Sequence, residues 1–202
     1  GFWFDEGVRV AIGHRRLSVL DLSSAGHQPM HSTSGQYIVA FNGEIYNHLD
    51  LREELDNELN RLIDWSGHSD TETLLLCFET WGVDTTLQKV NGMFAIALYD
   101  TKHNSLYLIR DRMGEKPLYY GWSGDSFLFG SELKSLKAFD DFSGEIDRNA
   151  LALYLKYDYV PSPYSIYKGI KKIPIGGYIK VDMVDNVWSR DGVSDINYYW
   201  SM

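Results

Sequence analysis

Apolar residues recur at every second position from Val8 to Ile12, with Val8, Val10 and Ile12 on one side and Arg9 and Ala11 between them. A period of two predicts a half-buried strand. Leu17, Val19 and Leu20 form a second apolar stretch after the basic pair Arg15-Arg16. AGHQPM follows and reads as a loop, punctuated by Gly26 and Pro29. QYIVAF, at 36–41, predicts a strand entered through a Ser34-Gly35 turn. It runs into FNGEIYN, where Asn42-Gly43 is a strong two-residue turn signal, so a turn is expected at the strand's end.

The period then changes. Leu49, Leu51, Leu55 and Leu59 fall roughly on one side of a helix from His48 to about Leu59. Ser69-Asp70-Thr71-Glu72 has the spacing of a capping box and opens a second helix, LLLCFETW, with Gly82 as its natural stop. Four short β-rich runs follow at 93–100, 105–111, 117–122 and 127–132, with little chain between them. Such short links predict an antiparallel meander. MFAIAL is apolar on both faces and is expected at the centre of a sheet. A short helix is predicted over 133–139, and another from Asp147, as its cap, to Leu155. From Tyr157 the chain reads as an extended, proline-punctuated connector and then a small strand or hairpin. Its aromatic end, INYYWSM, has no obvious packing partner in the sequence. Strands and segregated helices in this order give an α+β layered fold, not a doubly wound parallel sheet.

Composition narrows the function classes. With 202 residues and 44% hydrophobic content, a sizeable core can form. The net charge of −9 and the lack of an extended Lys/Arg run argue against nucleic-acid or anionic-membrane partners. No apolar stretch approaches the roughly 20 residues of a spanning helix. GFWFDEGVRV lacks the regions of a signal peptide. A single cysteine, Cys77, forbids an intramolecular disulfide and suits a reducing compartment, so a cytoplasmic location is expected.

Candidate chemistry is sparse. No dinucleotide, P-loop or nucleophile-elbow motif occurs. His14, His27 and His31 lack cysteine partners and zinc-ligand spacing, so no metal is expected. Cys77 lies among Leu75, Leu76 and Phe78 and reads as a buried apolar residue rather than a nucleophile. Three polar features remain. Arg16 offers a planar fork to a carboxylate, Asn42-Gly43-Glu44 follows a strand, and Asp70 opens a helix. Each alone has a structural reading. Together they form a candidate amino-acid cradle: Arg16 for an α-carboxylate, Asp70 and Glu44 for an α-ammonium, Asn42-Gly43 for an oxyanion.

Six motifs, in order, resemble one family: GHRRLSVLDLSSAGHQPM, FNGEIYNHLDLREEL, HSDTETLL, VNGMFAIALYD, RDRMGEKPLYY and FLFGSELKSL. They are similar to the class II glutamine amidotransferase domain of glutamine-hydrolysing asparagine synthetase, closest to its bacterial branch. That branch includes amidotransferases of surface-polysaccharide pathways. The resemblance implies an N-terminal-nucleophile hydrolase fold, a four-layer αββα sandwich of antiparallel sheets, and hydrolysis of glutamine to glutamate and ammonia. It assigns 1–157 to the glutaminase domain and 158–202 to its end and a connector toward a synthetase domain. Arg16 matches the arginine that grips the glutamine carboxylate. Leu17, Ser18, Val19 and Leu20 match a strand lining the pocket. Asn42 and Gly43 match the oxyanion hole, Glu44 a residue on the substrate's amino side, and Asp70 the acid that binds the α-ammonium. The resemblance implies no cofactor for this domain; ATP and Mg belong to the synthetase domain. The expected partners are glutamine and that domain, and a homodimer is left open.

Two departures follow from the same resemblance. The family's nucleophile is a cysteine at the mature N-terminus, whereas this chain starts at Gly1, so the first strand and its cysteine are expected to lie outside it. No S-G-G-x-D-S pyrophosphate motif occurs either. The chain alone is therefore expected to be inactive. Two alternatives remain: a sugar carboxylate as ammonia acceptor, or a non-catalytic glutamine-binding or scaffold module.

Overall fold

The structure, a computed structural model, describes residues 1–15, 24–185 and 187–201. The chain opens with the hairpin β1 (Phe2–Asp5) and β2 (Val10–Gly13). A two-residue β3 (Met30–His31) and a long β4 (Tyr37–Ile45) lead to helices α1 (His48–Glu58) and α2 (Asp70–Lys89). Strands β5 (Gly92–Asp100), β6 (Ser105–Arg110), β7 (Tyr119–Ser123) and β8 (Ser126–Gly130) follow. Helices α3 (Leu133–Lys137) and α4 (Arg148–Tyr157) come next. Last are β9 (Ile170–Lys172), β10 (Gly177–Val184), β11 (Val187–Val193) and β12 (Asn197–Tyr198).

One antiparallel sheet runs β11-β10-β6-β5-β4-β3, with β12 on β10. MFAIAL lies in β5, between β4 and β6, and its side chains are buried on both faces. On one face, Val39, Phe41, Ile45 and Ile96 pack against Leu51 and Leu55 of α1 and Leu74 and Phe78 of α2. On the other, Ile38, Ala95, Ala97 and Leu108 meet Val10 and Ile12 of β2 and Tyr120 of β7. A second layer, the hairpin β1-β2 and the sheet β8-β7-β9, thus covers the first sheet. Helices on one face of the sheet and strands on the other give the layered α+β arrangement expected from the pattern, and the stacked sheets are those that the resemblance implies.

Several local expectations change. Asn42-Gly43 is no turn: both residues lie within β4, paired with Ala95 and Phe94. Nine register pairs with β5 outweigh a two-residue preference. The runs at 93–132 do not form one meander, because the chain crosses from β6 into the second layer at β7. Leu49 faces solvent, so α1 buries Leu51 and Leu55. Gly82 breaks α2 with φ 73°, yet helix resumes to Lys89. The capping box is half formed. Ser69 Oγ accepts the Thr71 amide, but Glu72 reaches past Ser69 to accept the amides of Ser66 and Gly67. Beyond Tyr157 the chain is more than a connector. β10 pairs with β6 on one side and β11 on the other, inside the main sheet. The aromatic end also finds partners, since Tyr199 is buried in the helix-side core and its hydroxyl donates to the Arg110 carbonyl.

Candidate functional site

The outer edge of β4 is the informative place. Phe94 of β5 accepts the Asp111 amide on its carbonyl at 2.9 Å and donates its own N–H to Asp111 Oδ2 at 3.2 Å. Both polar groups of Phe94 therefore point toward β6, away from β4. Gly43 stands opposite Phe94. Antiparallel pairs alternate between bonded and non-bonded, so Phe41, Gly43 and Ile45 turn their amides to the edge away from β5. Two of these are captured by side chains. The Phe41 amide donates to Gln28 Oε1 at 2.7 Å, and the Ile45 amide to Asp70 Oδ2 at 2.9 Å. β3 stops pairing at Val39, and Gly43 between them meets no acceptor on that edge among the described residues.

Only glycine fits there. A Cβ on Gly43 would lie 2.1 Å from the Met93 carbonyl oxygen and 2.7 Å from Phe94 Cα. Its φ is not in the left-handed region, so close approach of β5 dictates the residue, rather than turn geometry. Asn42 faces the space between the two layers, like Ile38 and Ala40, and its Nδ2 donates to Ser131 Oγ at 3.2 Å. Glu44 shares that parity and is half-buried.

Asp70 begins α2 directly after its Ser69 cap and is 5% exposed. One carboxylate oxygen holds the Ile45 amide; the other faces the Thr71 hydroxyl at 3.5 Å. Burial raises its pKa, the Ile45 amide and His48 pull it down, and Glu44 pushes it up again. A buried carboxylate with an unfavourable ionised form is well suited to a cationic guest, whose charge would offset that penalty.

Two further groups, not singled out by the sequence pattern, organise this corner. Gln28 is buried and spans β4 and α2: besides accepting from Phe41, its Nε2 donates to Thr71 Oγ1 at 3.3 Å. Asp111, 1% exposed, accepts four backbone amides, from Phe94, Met113, Glu115 and Lys116. The Arg110 guanidinium donates to the carbonyls of Gly114, Lys116 and Ile173. The loop 111–116 is thereby fixed against β5, directly behind Gly43. Gln28 was hidden in a loop segment with no periodicity. Asp111 lies in RDRMGEKPLYY, where no local periodicity marks it.

The structure thus brings Asn42, Gly43, Glu44 and Asp70 to one end of β4. Arg16, Leu17, Ser18, Val19 and Leu20 lie outside the described residues. Cys77 is fully buried in α2, and burial pushes its thiol up to about 12, far from a working thiolate. Among the described residues no group of three His, Cys, Asp or Glu is placed to hold a metal ion. A cleft of about 970 Å³ lies elsewhere, among the β1–β2 turn, β8 and β11, and none of the four site residues lines it.

A glutamine amidotransferase domain model matches residues 1–199. The chain belongs to the glutamine amidotransferase family. It is 38% identical over 196 residues to asparagine synthetase [glutamine-hydrolyzing] 3 of Bacillus subtilis, covering 96% of this chain and 30% of that one. It is 37% identical over 180 residues to putative asparagine synthetase [glutamine-hydrolyzing] 2 of Methanocaldococcus jannaschii, covering 81% of this chain and 34% of that one. The amidotransferase chain therefore spans about a third of the length of these relatives. Among solved structures, the glutamine phosphoribosylpyrophosphate amidotransferase of B. subtilis superposes with a TM-score of 0.60 at 19% identity. That match covers 94% of this chain and 35% of the other. At that identity the likeness shows the fold alone, the antiparallel α+β sandwich of N-terminal-nucleophile hydrolases. Among the described residues no helix is long and apolar enough to cross a membrane.

Proposed function

We propose that these residues form the glutamine-hydrolysing part of an asparagine-synthetase-like amidotransferase and bind glutamine at the end of β4. The observation that carries this reading is the Gly43 amide, which meets no acceptor among the described residues, lies between two captured neighbours and is next to the Asn42 side-chain amide. Amide hydrolysis passes through a tetrahedral oxyanion. A preorganised donor aimed at that oxygen lowers the barrier by about 3–4 kcal/mol. Asp70 and Glu44 receive the substrate's α-ammonium, and Arg16 its α-carboxylate, with 17–20 lining the pocket.

In the mechanism that the resemblance implies, a thiolate attacks the side-chain amide, expels ammonia and leaves a glutamyl thioester for water to cleave. Cys77 does not fill that role, so the nucleophile comes from outside these 202 residues. Ammonia passes to a synthetase domain, where ATP and Mg2+ activate aspartate; a sugar carboxylate is the alternative acceptor. A cytoplasmic location suits the single unoxidised cysteine.

Calorimetric titration with L-glutamine, alongside an ammonia assay on chain 1–202, tests this. Saturable binding without ammonia release is expected, and Asp70→Asn should weaken binding at least tenfold. Affinity should rise with pH as Asp70 gives up its proton, because the ionised form receives the ammonium. Absence of glutamine binding would sink the site assignment. Ammonia above the buffer blank would sink the claim of an external nucleophile.

A further inference from the structure

We infer that Gln28 is a positioning residue that sets the oxyanion donor and the ammonium-binding carboxylate at a fixed separation. The inference rests on the glutamine-site reading above. Gln28 is 5% exposed and uses both ends of its amide. Its oxygen takes the Phe41 amide, the outward-facing neighbour of Gly43 on β4. Its nitrogen donates to the Thr71 hydroxyl oxygen, which leaves the Thr71 proton free to point to Asp70 Oδ1. Gln28 therefore clamps β4 to the first turn of α2 and polarises a short relay, Gln28 N–H to Thr71 O–H to the Asp70 carboxylate. Asp70 closes the same frame from the other side by holding Ile45. Gly43 sits in the middle of this frame, so its amide direction is fixed from both flanks, and no acceptor takes it among the described residues.

The relay has a measurable consequence. A hydroxyl donating to the ionised Asp70 favours that form, so cutting the relay should raise the Asp70 pKa further. Among the described residues, the other charged groups facing this carboxylate are His48 and Arg52 on α1 and Glu44 on β4, and the variants below leave all of them in place.

The test uses chain 1–202 with two variants, measured without glutamine. Amide exchange of β4 reports the clamp, and carbon-13 titration of the Asp70 carboxyl reports the relay. Gln28→Met, apolar and similar in size, should speed exchange at Phe41 on the order of tenfold and raise the Asp70 pKa. Thr71→Val should raise the Asp70 pKa and leave Phe41 exchange unchanged. Uniformly faster exchange across β4 and α2, with Asp70 unmoved, would show a general packing role and overturn the inference. If Gln28→Met does not fold, an unmoved Asp70 in Thr71→Val still overturns the relay. A separate glutamine titration of the Gly43 amide resonance tests the underlying site, so the two failures are distinguishable.

Discussion

Helices α2 and α4 begin in the same way. Ser69 accepts the Thr71 amide, and Asp147 accepts those of Asn149 and Ala150. Past the cap they diverge. α2 lays Leu74, Leu75, Cys77 and Phe78 on the main sheet, and its first residue, Asp70, reaches across to β4. In α4 only Ala150 is buried; Leu151, Tyr154, Leu155 and Tyr157 are exposed. Yet α4 is the more regularly amphipathic of the two. A sharp apolar stripe therefore does not identify the helix that the core uses. A helix like α2, covered on most sides through Phe78 and broken in phase at Gly82, shows little periodic contrast.

The contrast can be broken at graded strength. The largest effect is expected at Gly43, in the strand that α2 serves. Gly43→Ala must push β5 away from a 2.1 Å approach, which should cost about 3 kcal/mol or more in urea unfolding. Next is Leu74→Ala in α2, 1% exposed, which should lose about 2–5 kcal/mol by leaving a cavity. Ser69→Ala and Asp147→Ala should each lose about 1 kcal/mol, since the caps are alike even though the helices are not. Leu155→Ala, on the 74% exposed position of α4, should change stability by less than about 0.5 kcal/mol. A loss near that of Leu74→Ala would show that α4 is covered in solution.

Asp70 sharpens the comparison through pH. Its folded pKa is raised, so its contribution to stability is greatest below the ordinary aspartate value of about 3.9 and declines as pH rises through the folded value. Stability curves of wild type and Asp70→Asn should therefore converge or cross in the variant's favour as pH rises from acid toward neutral. The opposite slope would mean that the Ile45 and Thr71 contacts outweigh burial.

Much of this was legible in the chain. Alternation at 8–12, the leucines of α1, the Ser69 and Asp147 caps and the doubly apolar MFAIAL each report a local preference or a burial pattern, and these need no knowledge of distant residues. Asn42-Gly43 was misread for the same reason. Its local preference is a turn, but its β5 partners Ala95 and Phe94 lie far along the chain and fix it as strand. Gln28 and Asp111 gave no periodic signal, because a side chain that captures distant backbone amides is chosen for reach and not for a repeating face.

By itself, then, the sequence determined the fold class, the main helices, the strands through β8 other than β1 and β3, and the polar residue types available for an amide-hydrolysing site. Tertiary structure decided which backbone donors stay free. Phe41 and Ile45 give their edge amides to Gln28 and Asp70, while Gly43 meets no acceptor among the described residues, and this alternation follows from the ladder parity of β4 against β5. Side-chain identity is written locally. The direction of a backbone N–H is fixed only when its strand is paired, and pairing is a property of the assembled sheet.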